Sequence, residues 1–156
     1  MVVETQNNII RSGFILIGIL MINYAHGQDL NKHLWENRVV LIMTQNQDSK
    51  DYQDQIAEFY KFPSELKERK MLIYHVLPQR YTLIKDAVDP EQNEWVSSSA
   101  LFDKFARKNV DFKVVLIGLD GGNKLEKNGL LSAEELFGTI DSMPMRRAEL
   151  NKKRNR

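Results

Sequence analysis

The sequence contains no cysteine among its 156 residues. This absence excludes disulfide bonds, thiol-based catalysis and metal sites built from thiolates. It also excludes a lipid anchor of the lipoprotein kind, which needs a cysteine directly after an export leader. A core that folds from this sequence must therefore be held by packing and hydrogen bonding alone.

Long apolar runs are also scarce, and the one that could direct the chain to a membrane lies near its start. Residues 14–22 are apolar, Arg11 precedes them, and Ala25-His26-Gly27 supplies the small residues that a signal peptidase recognises. This pattern predicts a signal peptide over residues 1–27, cleavage before Gln28, and a periplasmic or secreted protein.

Two alternatives to a cleaved leader stay open. Glu4 makes the leader less basic than usual, which is also compatible with a true start further along the chain. An uncleaved anchor is the other alternative, although the apolar run is well short of the ~20 residues that span a bilayer. No second run of that kind follows, so no transmembrane segment is expected after cleavage.

The formal net charge of +1 conceals an asymmetry between the body of the chain and its end. Residues 145–156 carry six basic side chains against Glu149, and residues 28–144 are mildly acidic. We therefore divide the chain into a signal peptide, one domain over residues 28–144, and a basic C-terminal tail over residues 145–156. A tail of this kind is typical of docking to an anionic partner, or of a frayed and solvated terminus.

Hydrophobic patterning predicts strands and helices in alternation. Continuous apolar runs predict buried strands at residues 38–43, 71–77 and 112–118, and Asp120-Gly121-Gly122 predicts a hairpin to a short strand near residues 123–126. Apolar residues at helical spacing predict helices at residues 52–60, 98–108 and from Ser132 onward, the last beginning with a capping box. Residues 79–95 give no clear pattern.

This order of elements predicts an α/β fold with a central mixed sheet of about four strands, flanked by helices on both faces. The strand–helix–strand half is expected to be parallel and the hairpin half antiparallel. That arrangement is thioredoxin-like.

Neither metal nor nucleophile chemistry has a clear motif in this sequence. His33 and His75 remain after cleavage, but zinc needs at least three protein ligands, so we predict no metal site and no cofactor. His75 lies inside an apolar strand, which is typical of a packed, hydrogen-bonded histidine. The serines at 97–99 lack a base partner, and the glycines at 118–122 precede a hairpin rather than a phosphate-binding helix.

Three stretches resemble one family: Trp35-Glu36-Asn37-Arg38 with the strand that follows, Gly118-Leu119-Asp120-Gly121-Gly122, and the ending Asp141-Ser142-Met143-Pro144-Met145-Arg146-Arg147. Together they resemble domain-of-unknown-function family 4174, exported bacterial domains related to a module of secreted sushi-repeat proteins. The resemblance implies a thioredoxin-like fold without an assigned activity. Leu119 departs from the lysine usual at its position. The paired cysteines of a thioredoxin are replaced by Thr44-Gln45-Asn46-Gln47, and its cis-proline is absent before residue 112.

The sequence therefore favours an exported, non-catalytic binding domain without thiol redox activity. The candidate binding residues are Arg146 and Arg147, with Trp35 and Asp120 as structural supports. The expected partner is an anionic component of the envelope or exterior, and nucleic acid is not expected because the body is acidic. The alternative is an enzyme with non-cysteine chemistry in the cleft after the first strand, lined by Thr44, Gln45 and Asn46.

Overall fold

A computed structural model describes residues 29–84, 93–106 and 110–155. The predicted signal peptide lies outside the described residues, and so do the Asp89-Pro90 turn and the end of the helix predicted at residues 98–108. A short 3-10 helix (Asp29–His33) precedes the sheet. Among the described residues, no helix is both long enough and apolar enough to cross a bilayer.

In the described part of the chain, six strands form one sheet in the order β4-β3-β2-β1-β5-β6. Their bounds are β1 Arg38–Thr44, β2 Met71–Leu77, β3 Arg80–Leu83, β4 Val96–Ser97, β5 Phe112–Ile117 and β6 Asn123–Lys127. The helices are α1 Lys50–Tyr60, α2 Pro63–Glu68, α3 Ala100–Phe105, α4 Ala133–Ser142 and α5 Pro144–Arg154. The sequence prediction of about four strands is therefore corrected to six, because β3 and β4 extend the β2 edge.

The central strands are buried on both faces, as their mainly apolar runs predict. β1 pairs parallel to β2, with Ile42 opposite His75, and antiparallel to β5. β2, β3 and β4 continue as antiparallel neighbours on one side, and β6 closes the other. The predicted mixed sheet, parallel in its first half and antiparallel in its hairpin half, is confirmed.

Two apolar cores lie on opposite faces of the sheet. One packs α1, α2 and α4 against alternate residues of β1, β2 and β5, with Phe59, Leu136 and Ile140 fully buried. The other packs α3 against the remaining residues through Leu101, and Leu30 of the 3-10 helix joins it. Because successive residues of a strand point to opposite faces, His75 points toward α1 and its neighbour Tyr74 toward the opposite face.

The C-terminal segment forms two helices, α4 and α5, rather than an irregular tail. Ser132 begins α4 by accepting a hydrogen bond from the Glu135 amide, as the capping pattern predicts. Pro144 occupies the first turn of α5, where its missing N–H leaves no hydrogen bond unmade. Residues 145–154, which the sequence predicts to be part of a basic tail, continue this last helix.

Candidate functional site

A cleft lies beyond the carboxyl ends of the parallel strands β1 and β2. Ligands of open α/β sheets bind at this edge, because the loops there diverge to leave a crevice. The cavity measures about 520 Å³. Its lining comes from the β1–α1 loop, α1, β2, β3 and the segment before β4: Gln47, Asp48, Tyr52, Gln53, Ile56, His75, Arg80 and Trp95.

His75 and Tyr52 form the most buried polar pair of the cleft. The Tyr52 hydroxyl and His75 Nδ1 are 2.5 Å apart, and the two side chains are 4 % and 1 % exposed. Burial lowers the pKa of His75 from its ordinary 6.5 to about 3, and burial is also the main cause that raises the pKa of the Tyr52 phenol. Both groups are therefore neutral at physiological pH.

The second ring nitrogen of His75, Nε2, is buried and makes no hydrogen bond within the described part of the chain. With the phenol donating to Nδ1, Nε2 carries the imidazole proton and offers a donor. A buried polar group without a partner costs about 1–3 kcal/mol, so a ligand atom that accepts from Nε2 would recover that energy.

The outer part of the cleft carries a cation on an aromatic ring. The Arg80 guanidinium lies 4.4 Å from the centre of the Trp95 ring, and Arg80 Nη2 donates to Gln47 Oε1 at 3.3 Å. The stacked guanidinium is held in place yet keeps further N–H groups for an anion. Asp48 adds one carboxylate to the same lining.

The prediction that Thr44, Gln45 and Asn46 line this cleft is wrong. Thr44 is 1 % exposed, and its hydroxyl donates to the main chain at Asp111, just before β5. Gln45 donates its side-chain amide to the carbonyl oxygen of Val110. These bonds hold the end of β1 against the segment before β5. Gln47 and Asp48, further along the loop, line the cleft instead.

Arg146, the first candidate binding residue, is directed into its own domain. It is 4 % exposed, and its guanidinium contacts Asp141 at 3.1 Å, Glu68 at 3.3 Å and Glu149 at 3.5 Å. Burial opposes its charge, but the hydrogen bonds and charges of Asp141 and Glu68 outweigh it and raise the Arg146 pKa. Arg147 stays exposed and donates to the Ser142 carbonyl at the end of α4.

Trp35 and Asp120 both lie next to Leu119, at the edge of the sheet opposite the cleft. The Trp35 amide donates to the Leu119 carbonyl at 2.7 Å, and its backbone is left-handed with φ 65°. The indole itself is 63 % exposed. Asp120 accepts from the Gly122 amide and from Lys124 Nζ at 2.7 Å, and the latter bond is the main cause that lowers its pKa. The candidate residues are thus grouped away from the cleft.

Sequence patterns missed most of the cleft residues. Arg80 and Trp95 lie in the stretch without a clear pattern, and the spacing of Tyr52 predicts no more than an apolar helix face. The signal that was present is the titratable His75 in the middle of an apolar strand. The described part of the chain brings together no group of three acidic, histidine or cysteine side chains that would hold a metal ion.

Comparison with known proteins places the chain in a family. The model of the family described as "Domain of unknown function (DUF4174)" matches residues 29–149. The chain belongs to this family. The match spans both the cleft and the edge that holds Asp120 and Arg146. No curated protein sequence matches the chain, and the relation to sushi-repeat proteins stays a prediction.

A solved structure has a fold similar to that of this chain. The crystal structure of reduced Plasmodium vivax 2-Cys peroxiredoxin superposes with a TM-score of 0.51 over 78 % of this chain and 84 % of that one, at 14 % sequence identity. At that identity the likeness concerns the fold alone. The thioredoxin-like α/β fold is therefore confirmed, in a chain that has no cysteine to carry thiol redox chemistry.

Proposed function

We propose that this chain is an exported, thiol-independent binding domain whose ligand is a small organic molecule held in the cleft. Export rests on the leader pattern of residues 1–27. The observation that carries the binding role is that His75 lines a cavity of about 520 Å³ and has a buried Nε2 without a partner among the described residues. Ligand pockets typically have this size and combine apolar walls with a few fixed polar groups.

The lining suggests the chemistry of the ligand. Arg80 offers a guanidinium to a carboxylate, and Trp95 and Ile56 supply apolar contact. The neutral His75 suits a polar atom that accepts a single hydrogen bond. We therefore expect a carboxylate with an aromatic or compact apolar body, its acid at Arg80 and an acceptor oxygen at Nε2.

Binding is favoured over catalysis by the state of the histidine. A general base works best with a pKa near the working pH, because it must be unprotonated yet still attract a proton. A pKa of about 3 makes His75 a weak proton acceptor. The enzyme alternative retains one supporting observation, the direct contact of Tyr52 and His75 in a cleft.

The two tryptophans give an internal control for the test. Their indole N–H groups produce separate signals in ¹⁵N NMR spectra, and a Trp35→Phe variant assigns them. We would titrate the protein with benzoate, phenylacetate and benzyl alcohol. The proposal predicts that a carboxylate shifts the Trp95 signal and leaves that of the exposed Trp35 unchanged, and that the alcohol shifts neither.

Two variants locate the site. Arg80→Gln and His75→Gln should each weaken carboxylate binding by about tenfold. Lys61→Gln removes an exposed cation outside the cleft and should leave the affinity within about twofold. Absence of any Trp95 shift at about 10 mM carboxylate would remove the support for a ligand of this class.

If the basic end binds an anionic partner, the residues that contact it are the exposed cations of α5. Arg146 is turned inward, whereas Lys152 and Arg154 are exposed. We propose that these two contact an anionic surface. Binding to vesicles that contain anionic phospholipid should weaken when both are changed to Gln and when salt is raised. Equal binding of the variant would contradict this role.

A further inference from the structure

A second cavity of about 280 Å³ lies at the edge of the sheet opposite the cleft. It is enclosed by the start of β1, the turn after β5 and the junction of α4 with α5, and we call it the junction pocket. Its lining residues are Arg38, Gly118, Leu119, Asp120, Lys124, Met143, Pro144 and Met145. The junction pocket shares no residue with the cleft, so a ligand bound in it is independent of the ligand proposed for the cleft.

Arg38 is the buried polar residue in the lining of the junction pocket. It is 1 % exposed, and its Nη1 donates to the Arg69 carbonyl at 2.9 Å. Both terminal nitrogens also reach the Glu149 carboxylate, each at a long 3.4 Å. Nε is buried and has no partner among the described residues. Arg38 thus contributes to the lining of the cavity while one of its N–H groups is buried and unused, which is costly unless an acceptor reaches it.

The other walls are mainly apolar and adaptable. Leu119 and Met143 form the inner surface, and Met145 is 41 % exposed at the mouth. Methionine side chains are flexible and fit irregular apolar ligands. At the rim, Lys124 is ion-paired with Asp120 at 2.7 Å. The pocket therefore combines one deep donor with apolar walls.

Local charge favours an anion rather than a neutral acceptor. Arg38 belongs to an ion-pair network that, among the described residues, joins five cations to three carboxylates: Arg38, Arg69, Lys70, Arg146 and Lys153 with Glu68, Asp141 and Glu149. The network carries two more positive than negative charges, and Arg38 is its member in the lining of the junction pocket. Hydrogen bonds from ionised donors to ionised acceptors are the strong ones, so a carboxylate gains most here.

We propose that the junction pocket binds the carboxylate of a small molecule with an unbranched apolar chain. The carboxylate accepts from Arg38 Nε, and the chain packs against Leu119, Met143 and Met145. The acidic group lies at the buried end and the chain extends past Met145 to the mouth. Such a ligand differs from that of the cleft, where the guanidinium is stacked on an aromatic ring at the outer part.

The methionine methyl groups report on this site directly. With ¹³C-methyl methionine in the protein, hexanoate should shift the signals of Met143 and Met145, whereas the signal of Met43, fully buried in β1, should stay in place. Hexan-1-ol has the same chain without the charge and should shift them at concentrations about tenfold higher or more. Equal effects of the acid and the alcohol would overturn the assignment of an anion site.

A matched pair of variants on α5 tests the position. Met145→Glu places a negative charge at the mouth, and Leu150→Glu places one on the same helix outside the pocket, at a residue of similar exposure. The first should weaken hexanoate binding by about tenfold and the second by less than about twofold. Arg38→Lys keeps the charge but lacks Nε, and should weaken binding as well. If Met145→Glu and Leu150→Glu bind hexanoate equally, the proposal is refuted, whether or not Arg38→Lys folds.

Discussion

Protonation of His75 should destabilise the fold in a pH range of its own. The pKa of this histidine is about 3 in the folded protein, against an ordinary value of 6.5. Between these values the unfolded chain binds up to one more proton than the folded one, so stability falls as the pH falls. The slope approaches 1.4 kcal/mol per pH unit, which amounts to about 2–3 kcal/mol between pH 6.5 and pH 4.5.

The carboxylates act in a different range. The pKa values of Glu68 and Asp141 are lowered from their ordinary 4.5 and 3.8. Hydrogen bonding to Lys153 is the main cause for Glu68, whereas for Asp141 burial opposes the charge but is outweighed by the hydrogen bonds to Arg69 and Arg146. A lowered carboxylate pKa contributes stability above its unfolded value, and that contribution is lost only as the pH falls further. Because the unfolded value for Glu68 is 4.5, the carboxylate loss begins only near the acid end of the interval from pH 6.5 to pH 4.5, and most of the change across that interval comes from the histidine.

The assay is urea unfolding, followed by tryptophan fluorescence at several pH values across this interval. His75→Gln retains a side chain that can hydrogen-bond to Tyr52 but does not titrate there. We expect it to be less stable than the wild type at neutral pH by about 1 kcal/mol, and to lose much less stability on acidification. His33→Gln, at a half-buried histidine bonded to Tyr74 at 2.7 Å, measures the share of the other described histidine.

One result would refute the reasoning. If His75→Gln loses as much stability as the wild type between pH 6.5 and pH 4.5, with an unchanged denaturant dependence, the buried neutral histidine is not the source of the slope. If His33→Gln loses the pH dependence of stability instead, that dependence comes from the histidine on the other face of the sheet.

Three further predictions concern packing and processing. Arg146→Ala should destabilise the protein by about 1–3 kcal/mol because it removes a buried guanidinium that hydrogen-bonds to Asp141 and Glu68, although Asp141 keeps its ion pair with Arg69, whereas the exposed Arg147→Ala should cost less than about 1 kcal/mol; equal losses in thermal unfolding would contradict the inward role of Arg146. Gln55→Leu should cost about 1–3 kcal/mol, since the Gln55 amide bonds both the N–H and the C=O of Leu131, and a loss below about 0.5 kcal/mol in urea unfolding would argue against it. Expression with the native leader should yield a chain that begins at Gln28, and an intact mass equal to that of the uncut chain would exclude cleavage.

The strands of the core were predictable because burial on both faces leaves a local mark. β1, β2 and β5 are mainly apolar runs, and β2 has the bounds that its apolar run predicts. β3 leaves no such mark: it is four residues long, begins with the exposed Arg80, and is a strand because β2 supplies its hydrogen-bonding partner. β4 has only two residues. Short edge strands are decided by tertiary pairing rather than by their own composition.

The polar interior could not be predicted for a related reason. Arg38 opens an apolar run that correctly predicts a strand, but its carboxylate partner Glu149 lies 111 residues away. Gln55 belongs to a helix whose spacing predicts one apolar face, and it is buried because it bonds the main chain at Leu131, 76 residues away. A polar residue reveals its burial only when its partner is known, and no local pattern carries that information.

The two proposed sites rest on one physical principle that applies at opposite edges of the sheet. Burying a polar atom is unfavourable unless it is hydrogen-bonded, so a native fold that leaves one beside a cavity needs a compensating reason. His75 lines the cleft and Arg38 lines the junction pocket, and each has one buried nitrogen without a partner among the described residues. His75 is neutral and lies near a stacked arginine, whereas Arg38 is charged and lies among methionines. The two sites should therefore be separable: Met145→Glu should leave the Trp95 response to benzoate unchanged, and Arg80→Gln should leave the response of Met145 to hexanoate unchanged.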